Sequence, residues 1–284
     1  MAKIIDGKAI SAQIRQELAE ETKQFAKESG ILPGLAVVIV GEDPASQVYV
    51  RNKRRACEEI GYYSEAYELP ESTTQEELEA LVDKLNNDPK IHGILVQLPL
   101  PRHLDETAVL LKIRPDKDVD AFHPYNVGKI MIGDYDFLPC TPAGVMALLE
   151  RSNIDVCGKE CVVVGRSNIV GKPQAMLLLH KNGTVTVCHS KTKNLADVCR
   201  RADILVAAIG KADFFTADMV KEGAVVIDVG MNRRADGKLT GDVDFASVEP
   251  KASYITPVPG GVGPMTITML MQNTLTAARR SLKN

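Results

Sequence analysis

The sequence predicts an α/β protein of two domains, each a mostly parallel sheet covered by helices, with the last helix returning to the first domain. Short β-rich apolar runs alternate with helical patterns through most of the 284 residues, and that alternation belongs to parallel sheets whose faces are covered by helices. Between about 114 and 144 the texture changes to RPDKDVDAFHPYN and FLPCTPAG, rich in Asp, Pro and Gly, which suits loops and a crossing between domains. Finally, PVPGGVGP breaks the second series before an apolar helix. The domains are expected at 1–139 plus 264–284, and at 140–263.

Each element has its own signal. A helical pattern runs from about Lys8 to Ser29 behind the cap-like Asp6, and LAVVIV follows as a strand. GEDPAS then leads, with Ser46 as the expected N-cap, into the helix YVRNKRRACEEIG. STTQEELEALVDKL reads as a capped amphipathic helix, IHGILVQ as a buried strand and DETAVLLKI as a short helix. In the second series the strands are CVVVG, TVTVCH, DILVAAIG and AVVIDVG, and MTITMLMQNTLTAARR is the final helix.

Composition removes several function classes. The net charge of -3, from 34 basic against 37 acidic residues, gives no field that favours a polyanion. No apolar run approaches membrane-spanning length and MAKIIDGKAI lacks a signal-peptide core, so a cytoplasmic location is expected, with no membrane or nucleic-acid partner. The six cysteines form no C-x-x-C pair and have no zinc-finger spacing. Most of them read as buried small apolar residues, with Cys140 in LPCTP placed on a loop; no metal is expected.

Three motifs carry chemistry. CVVVGRSNIVGKPQAMLLL is strand, turn and helix, the context of a Rossmann-like dinucleotide turn, although Gly165, Ser167 and Gly171 depart from G-x-G-x-x-G. The physical need is a tight turn that lets backbone N–H groups approach a phosphate at a helix N-terminus. Residues 161–196 contain no acid, whereas Arg166, Ser190, Lys191 and Lys193 supply cations and a hydroxyl. NAD sites offer an acid to the ribose hydroxyls and NADP sites offer cations to the extra phosphate; NADP is the favoured cofactor.

The second motif is a lysine on the wrong face. At about 100° per residue, Tyr49, Lys53, Ala56 and Ile60 share one stripe, bordered by Asn52 and Cys57, while Arg51, Arg54, Arg55 and Glu58 point away. Desolvation of an ammonium on an apolar stripe favours the neutral amine and brings it into the range of proton transfer. The alternative is a stem that packs while its head snorkels to water. The third motif is a pair of polar groups: Gln97, at the C-terminal end of the strand in ILVQLPLP, where ligands bind in open parallel sheets, and Asp120 in DKDVDAFHP. The Asp120 carboxylate could take paired hydrogen bonds from a guanidine-like ring, or Asp116, Asp118 and Asp120 could all be turn formers.

Together YVRNK, VQLPLP, DKDVDAFHP, CTP, GRSNIVGKP and TPVPGGVGPMT resemble one family, the short bacterial form of the bifunctional methylenetetrahydrofolate dehydrogenase/methenyltetrahydrofolate cyclohydrolases, over essentially the whole chain. At this length the form without a fused formate-tetrahydrofolate ligase domain is expected. The resemblance implies a folate-binding catalytic domain and a Rossmann-like NADP-binding domain. It also implies oxidation of methylenetetrahydrofolate with NADP, hydrolysis of the methenyl product at the same site, and a homodimer.

By the same resemblance, Lys53 is the general acid/base, Gln97 tunes and orients it, Tyr49 packs against the folate and Asp120 holds the pterin. Pro259, Gly260, Gly261 and Gly263 border both ligands, and Gly165, Arg166, Ser167, Ser190 and Met231 hold the cofactor. The family usually reads DVDGFH where this chain has Ala121, a change that is tolerable unless the position needs φ > 0.

Two rival readings are weaker. A short-chain dehydrogenase also uses Tyr-x-x-x-Lys, but places it after its glycine-rich turn, and here Tyr49 precedes Gly165. A nucleic-acid module built on Arg51, Arg54 and Arg55 meets Glu58, Glu59 and a near-neutral chain.

Overall fold

GLAVVIV, GILV, ILVA and VVID are each buried along their whole length, and a strand apolar on both faces is stable only inside a parallel sheet flanked by helices. The computed structural model describes residues 1–283, except for the side chains of residues 44 and 45. In chain order it runs β1 (Lys3–Ile4), α1 (Gly7–Ser29), β2 (Gly34–Val40), α2 (Pro44–Ile60), β3 (Tyr63–Leu69), α3 (Gln75–Asn87), β4 (Gly93–Val96), α4 (Glu106–Lys112), α5 (Pro124–Ile132) and α6 (Cys140–Arg151). There follow β5 (Glu160–Val164), α7 (Gly171–His180), β6 (Thr184–Cys188), α8 (Leu195–Cys199), β7 (Ile204–Ala207), β8 (Val225–Asp228), β9 (Asn232–Arg233), β10 (Leu239–Thr240), α9 (Phe245–Val248), β11 (Tyr254–Ile255) and α10 (Val262–Ser281).

The chain divides into two compact units, residues 13–138 with 267–284, and residues 1–12 with 139–266. The first holds a three-stranded parallel sheet in the order β3-β2-β4. On one side of it Val38, Ile94 and Val96 pack with Leu78, Val82 and Leu85 of α3 and Val109 of α4. A reciprocal cap starts α3: Glu77 N donates to Thr74 Oγ1 at 3.2 Å and Thr74 N to Glu77 Oε2 at 2.8 Å, a device that stabilises a helix by about 1 kcal/mol. The C-terminal helix packs into this unit, where Tyr62 Oη donates to Met271 O at 2.9 Å.

The second unit holds a six-stranded sheet in the order β1-β11-β8-β7-β5-β6, parallel throughout. Val162, Leu205, Val226 and Ile255 from its strands pack with Phe215 and Val248. Strand order reverses around β5, which lies between β7 and β6; such a switch point opens a crevice at the carboxyl ends of the strands.

Several local expectations are corrected. Asp43, not Ser46, caps α2, its carboxylate accepting the Ser46 N–H at 2.8 Å. The Asp-, Pro- and Gly-rich segment contains a helix, α5, started by His123 Nδ1 accepting the Tyr125 N–H. Cys140 is not on a loop: it is the buried first residue of α6. Helix α10 begins at Val262, so Gly263 and Pro264 form its first turn, where a proline's missing N–H costs nothing. Strand β3 has no counterpart in the sequence reading; its half-buried and exposed residues mark it as an edge.

Candidate active site and cofactor site

Helix α2 presents Ser46, Val50, Lys53, Cys57 and Ile60 to the interior, a spacing of four, three, four and three residues that lies on one helical face. Lys53 is therefore a true member of the buried stripe, 7% exposed. The stripe is rotated from the expected one, because Val50 and Cys57 are buried while Tyr49 is 37% exposed at its edge. Gly61, at φ 87, ends the helix, its N–H returning to Cys57 O.

Gln97 directly follows β4, and its backbone N–H still donates to Val38 O of the neighbouring strand at 2.8 Å. Lys53 Nζ donates to Gln97 Oε1 at 2.9 Å, and Gln97 Nε2 donates to Leu98 O at 2.7 Å. The second contact fixes which end of the amide faces the lysine. At 7% exposure the lysine head is thus turned inward onto a fixed amide acceptor.

The three carboxylates of DKDVDAFHP separate cleanly. Asp116 pairs with Arg114 through two contacts, at 2.9 and 2.7 Å. Asp118 is buried and builds the turn, accepting from His123 N and Asn126 Nδ2 at 2.8 Å each and from Phe122 N at 3.3 Å; burial pushes its carboxyl above the usual range. Asp120 is half-buried beside them. Ala121 stands at φ 57, so the position does take the left-handed conformation in which a β-carbon costs about 1 kcal/mol. Asn273 of α10 secures the same segment, its Nδ2 donating to Val119 O and Leu138 O at 2.8 Å each. Sequence reading missed Asn273 because nothing local ties position 273 to position 119.

In the other unit, Gly165 follows β5 at φ 140, and a β-carbon there would stand 2.3 Å from Ala208 O; only glycine lets the turn pass so close to the end of β7. Ser167 Oγ accepts the Val170 and Gly171 N–H groups at 3.1 and 3.3 Å, shaping the turn into α7. Arg166, Ser167 and Ser190 are exposed. A cavity of about 300 Å³ opens at the ends of β5, β6 and β7, lined by Gly165, Arg166, Ser190, Ile209, Lys211 and Phe214 among others, with no carboxylate in its wall. A basic, partly apolar crevice at a topological switch point suits a dinucleotide that carries an extra phosphate. The loop before α10 belongs to this unit: Pro259 is exposed, Gly260 and Gly261 are buried, and Gly263 lies under Met231, whose Cε would be 3.1 Å from a β-carbon there. Of the sequence-predicted residues, Tyr49, Lys53, Gln97 and Asp120 thus belong to the first unit, with Lys53 and Gln97 in contact, and Gly165, Arg166, Ser167, Ser190, Met231, Pro259, Gly260, Gly261 and Gly263 belong to the second.

Among the described residues, no group of three or more His, Cys, Asp or Glu side chains is placed to hold a metal ion, and no helix is long and apolar enough to cross a membrane.

Comparison with known proteins agrees with the expected family. Residues 5–120 match the tetrahydrofolate dehydrogenase/cyclohydrolase catalytic domain, and residues 139–282 match the NAD(P)-binding domain of the same family. The bifunctional protein FolD of Moorella thermoacetica is 64% identical over 98% of this chain and 99% of its own. The FolD methylenetetrahydrofolate dehydrogenase/cyclohydrolase crystal structure from Campylobacter jejuni superposes with a TM-score of 0.96 at 53% identity, covering 99% of this chain and 100% of that one. The Trypanosoma brucei methylenetetrahydrofolate dehydrogenase-cyclohydrolase, solved with NADP cofactor and an inhibitor, gives 0.95 at 44% identity over 100% of this chain and 99% of that one. The chain belongs to the tetrahydrofolate dehydrogenase/cyclohydrolase family.

Proposed function

We propose that the chain is a bifunctional one-carbon folate enzyme, which oxidises 5,10-methylenetetrahydrofolate to 5,10-methenyltetrahydrofolate with NADP and hydrolyses that product to 10-formyltetrahydrofolate. The observation that carries this reading is the buried Lys53–Gln97 contact, a proton-transfer group set at the end of a parallel strand. The family match over both domains supports it.

The two steps ask different things of the chain. In the oxidation, a folate nitrogen lone pair forms a C=N bond as the methylene C–H electron pair leaves, and bound NADP supplies the hydride acceptor. No acid or base is needed, so the contribution of the protein is position. Tyr49 packs against the folate and Asp120 holds the pterin by paired hydrogen bonds. Arg166 and Ser190 take the cofactor's extra phosphate, Gly165 and Ser167 form the turn beneath its pyrophosphate, and Met231 with Pro259, Gly260, Gly261 and Gly263 lies toward the nicotinamide end. In the hydrolysis, Lys53 as the neutral amine takes a proton from the water adding to the methenyl carbon, then returns it to the departing nitrogen as the C–N bond breaks and the carbinol O–H becomes the formyl C=O, that hydroxyl proton passing to solvent. That shuttle requires an amine whose neutral and charged forms are both accessible.

The resemblance also supports a homodimer, which sedimentation would measure, and a cytoplasmic location, where both ligands are soluble. The deciding experiment is to give the purified protein methylenetetrahydrofolate and follow cofactor reduction. Reduction of NADP in preference to NAD is expected, and no reduction of either would end the proposal.

A further inference from the structure

One cation in the cofactor cavity lies outside the residues assigned so far. Lys211, on the loop after β7, lines the same cavity as Arg166 and Ser190. Its ammonium sits 5.6 Å from the centre of the Phe214 ring and makes no ion pair with any described residue. The nearest acid in sequence, Asp213, is already committed: Arg234 Nε and Nη2 donate to its two oxygens at 2.9 and 2.7 Å, and Thr240 Oγ1 donates to it at 2.9 Å. That pairing holds the Asp213 carboxyl below the usual range. Lys211 is thus an uncompensated positive charge at the mouth of an acid-free crevice.

The loop that carries it is held by one buried carboxylate. Asp242 is fully buried, and three consecutive backbone N–H groups converge on it. Ile209 and Gly210 donate to Oδ2 at 2.7 and 3.0 Å, Lys211 donates to Oδ1 at 2.8 Å, and Asn232 Nδ2 completes the set at 2.9 Å. Charge-assisted bonds of this kind are the strong ones, and three of them on successive residues leave the loop little freedom. The direction in which Lys211 leaves the backbone is therefore set from inside the domain.

We propose that Lys211 is a specificity-determining residue for NADP, supplying with Arg166 the second positive charge on the adenosine 2′-phosphate, and that Asp242 is the positioning residue that aims it. The cavity fits this assignment. Leu195, Ile209 and Phe214 offer apolar surface to an adenine ring, while Arg166, Ser190 and Lys211 collect donors within the same space. A phosphate dianion held by two cations and a hydroxyl is neutralised, whereas one arginine would leave a residual charge. This assignment rests on the NADP reading above.

Lys211 is exposed and glutamine, one atom shorter, keeps a polar side chain there, so the fold of Lys211→Gln is expected to be unchanged. Calorimetric titration of the full chain with 2′,5′-ADP and with 5′-AMP, which differ only in the 2′-phosphate, reads that phosphate directly. The wild-type chain is expected to bind 2′,5′-ADP more tightly; failure to do so would remove the NADP reading and the Lys211 assignment with it. If the wild type binds as expected, Lys211→Gln should weaken 2′,5′-ADP about tenfold and leave 5′-AMP within about twofold. Equal losses for both ligands would place the lysine on the 5′-phosphate and overturn the assignment; no loss would also overturn it while leaving the NADP reading intact. For Asp242, an amide cannot accept from all four donors, so Asp242→Asn should lose the same discrimination, and Lys211→Gln added to it should cost no further discrimination. Additive losses would show that Asp242 does not act through Lys211.

Discussion

Lys53 and Gln97 stand 44 positions apart in the chain and meet at 2.9 Å, the ammonium of α2 donating to an amide oxygen at the end of β4. The helix supplies a buried position and the strand supplies an acceptor without charge. The head is turned inward onto a fixed partner and not out to water; a role in proton transfer is a separate distinction.

Replacing that amine with an apolar chain of similar shape tests the distinction. Lys53→Met is expected to lower hydrolysis of methenyltetrahydrofolate by at least about 100-fold, the usual worth of a general acid or base, while the melting temperature stays level or rises, since a desolvated charge is removed. Single-turnover hydrolysis followed by absorbance measures the first and a thermal scan the second. A variant that hydrolyses at the normal rate would show the lysine to be structural.

The cofactor assignment makes a comparative prediction. With Arg166 and Ser190 both changed to Ala, KM for NADP should rise by about tenfold or more and KM for NAD by much less, because a charge-assisted contact to a phosphate exists only with NADP. Parallel assays with the two cofactors decide it; equal losses would remove the phosphate argument.

Stability should fall on the acid side because of His92. Its Nδ1 accepts the Gly34 N–H at 3.0 Å, and burial, helped by the Lys117 ammonium, holds the imidazole below its ordinary 6.5. The unfolded chain binds a proton near 6.5 that the native ring refuses, so this contribution is complete above that pH and is lost as pH falls below it. Urea unfolding between pH 7.5 and about 5 should show a steeper decline for the wild type than for His92→Asn, whose carbonyl can accept from Gly34 without titrating.

Asp228 works in the opposite sense. Its carboxyl accepts from Gly230 N, Asp242 N and Val243 N, each at 2.9 Å, yet burial outweighs these bonds and the neighbouring Asp242 adds to it, pushing the carboxyl up to about 7. Between the ordinary 3.8 and that value the native state keeps a proton that the unfolded chain has released. Stability therefore declines as pH rises through the window, by on the order of 4 kcal/mol at about 1.4 kcal/mol per pH unit. The same urea series on Asp228→Asn should lack this slope; an unchanged slope would assign it elsewhere.

The parts of the fold written in local pattern were legible, and the parts made by distant partners were not. β2, β4, β5, β7 and β8 are near-continuous apolar runs, and no other environment suits them. β3 was hidden because YSEAYEL places polar residues along an edge, and α5 because its proline and His123 cap resemble a loop in composition. At the site, the inward face of Lys53 followed from helical spacing. The choice of Asp118 over its neighbours as the turn former depends on Asn126 and on burial, neither of which a spacing reveals. Lys211 was missed for the same reason, since the buried Asp242 that directs its loop lies 31 positions away.

The pairing of β1 with β11, Lys3 opposite Tyr254 and Ile4 opposite Ile255, has a consequence during synthesis. The small sheet has all its strands once residue 96 has left the ribosome, but the first strand translated must wait for nearly the whole chain before it finds its neighbour. At about 5–20 residues per second that interval is on the order of tens of seconds. Throughout it the N-terminal segment is an unpaired edge, open to chaperones and to the wrong strands alike.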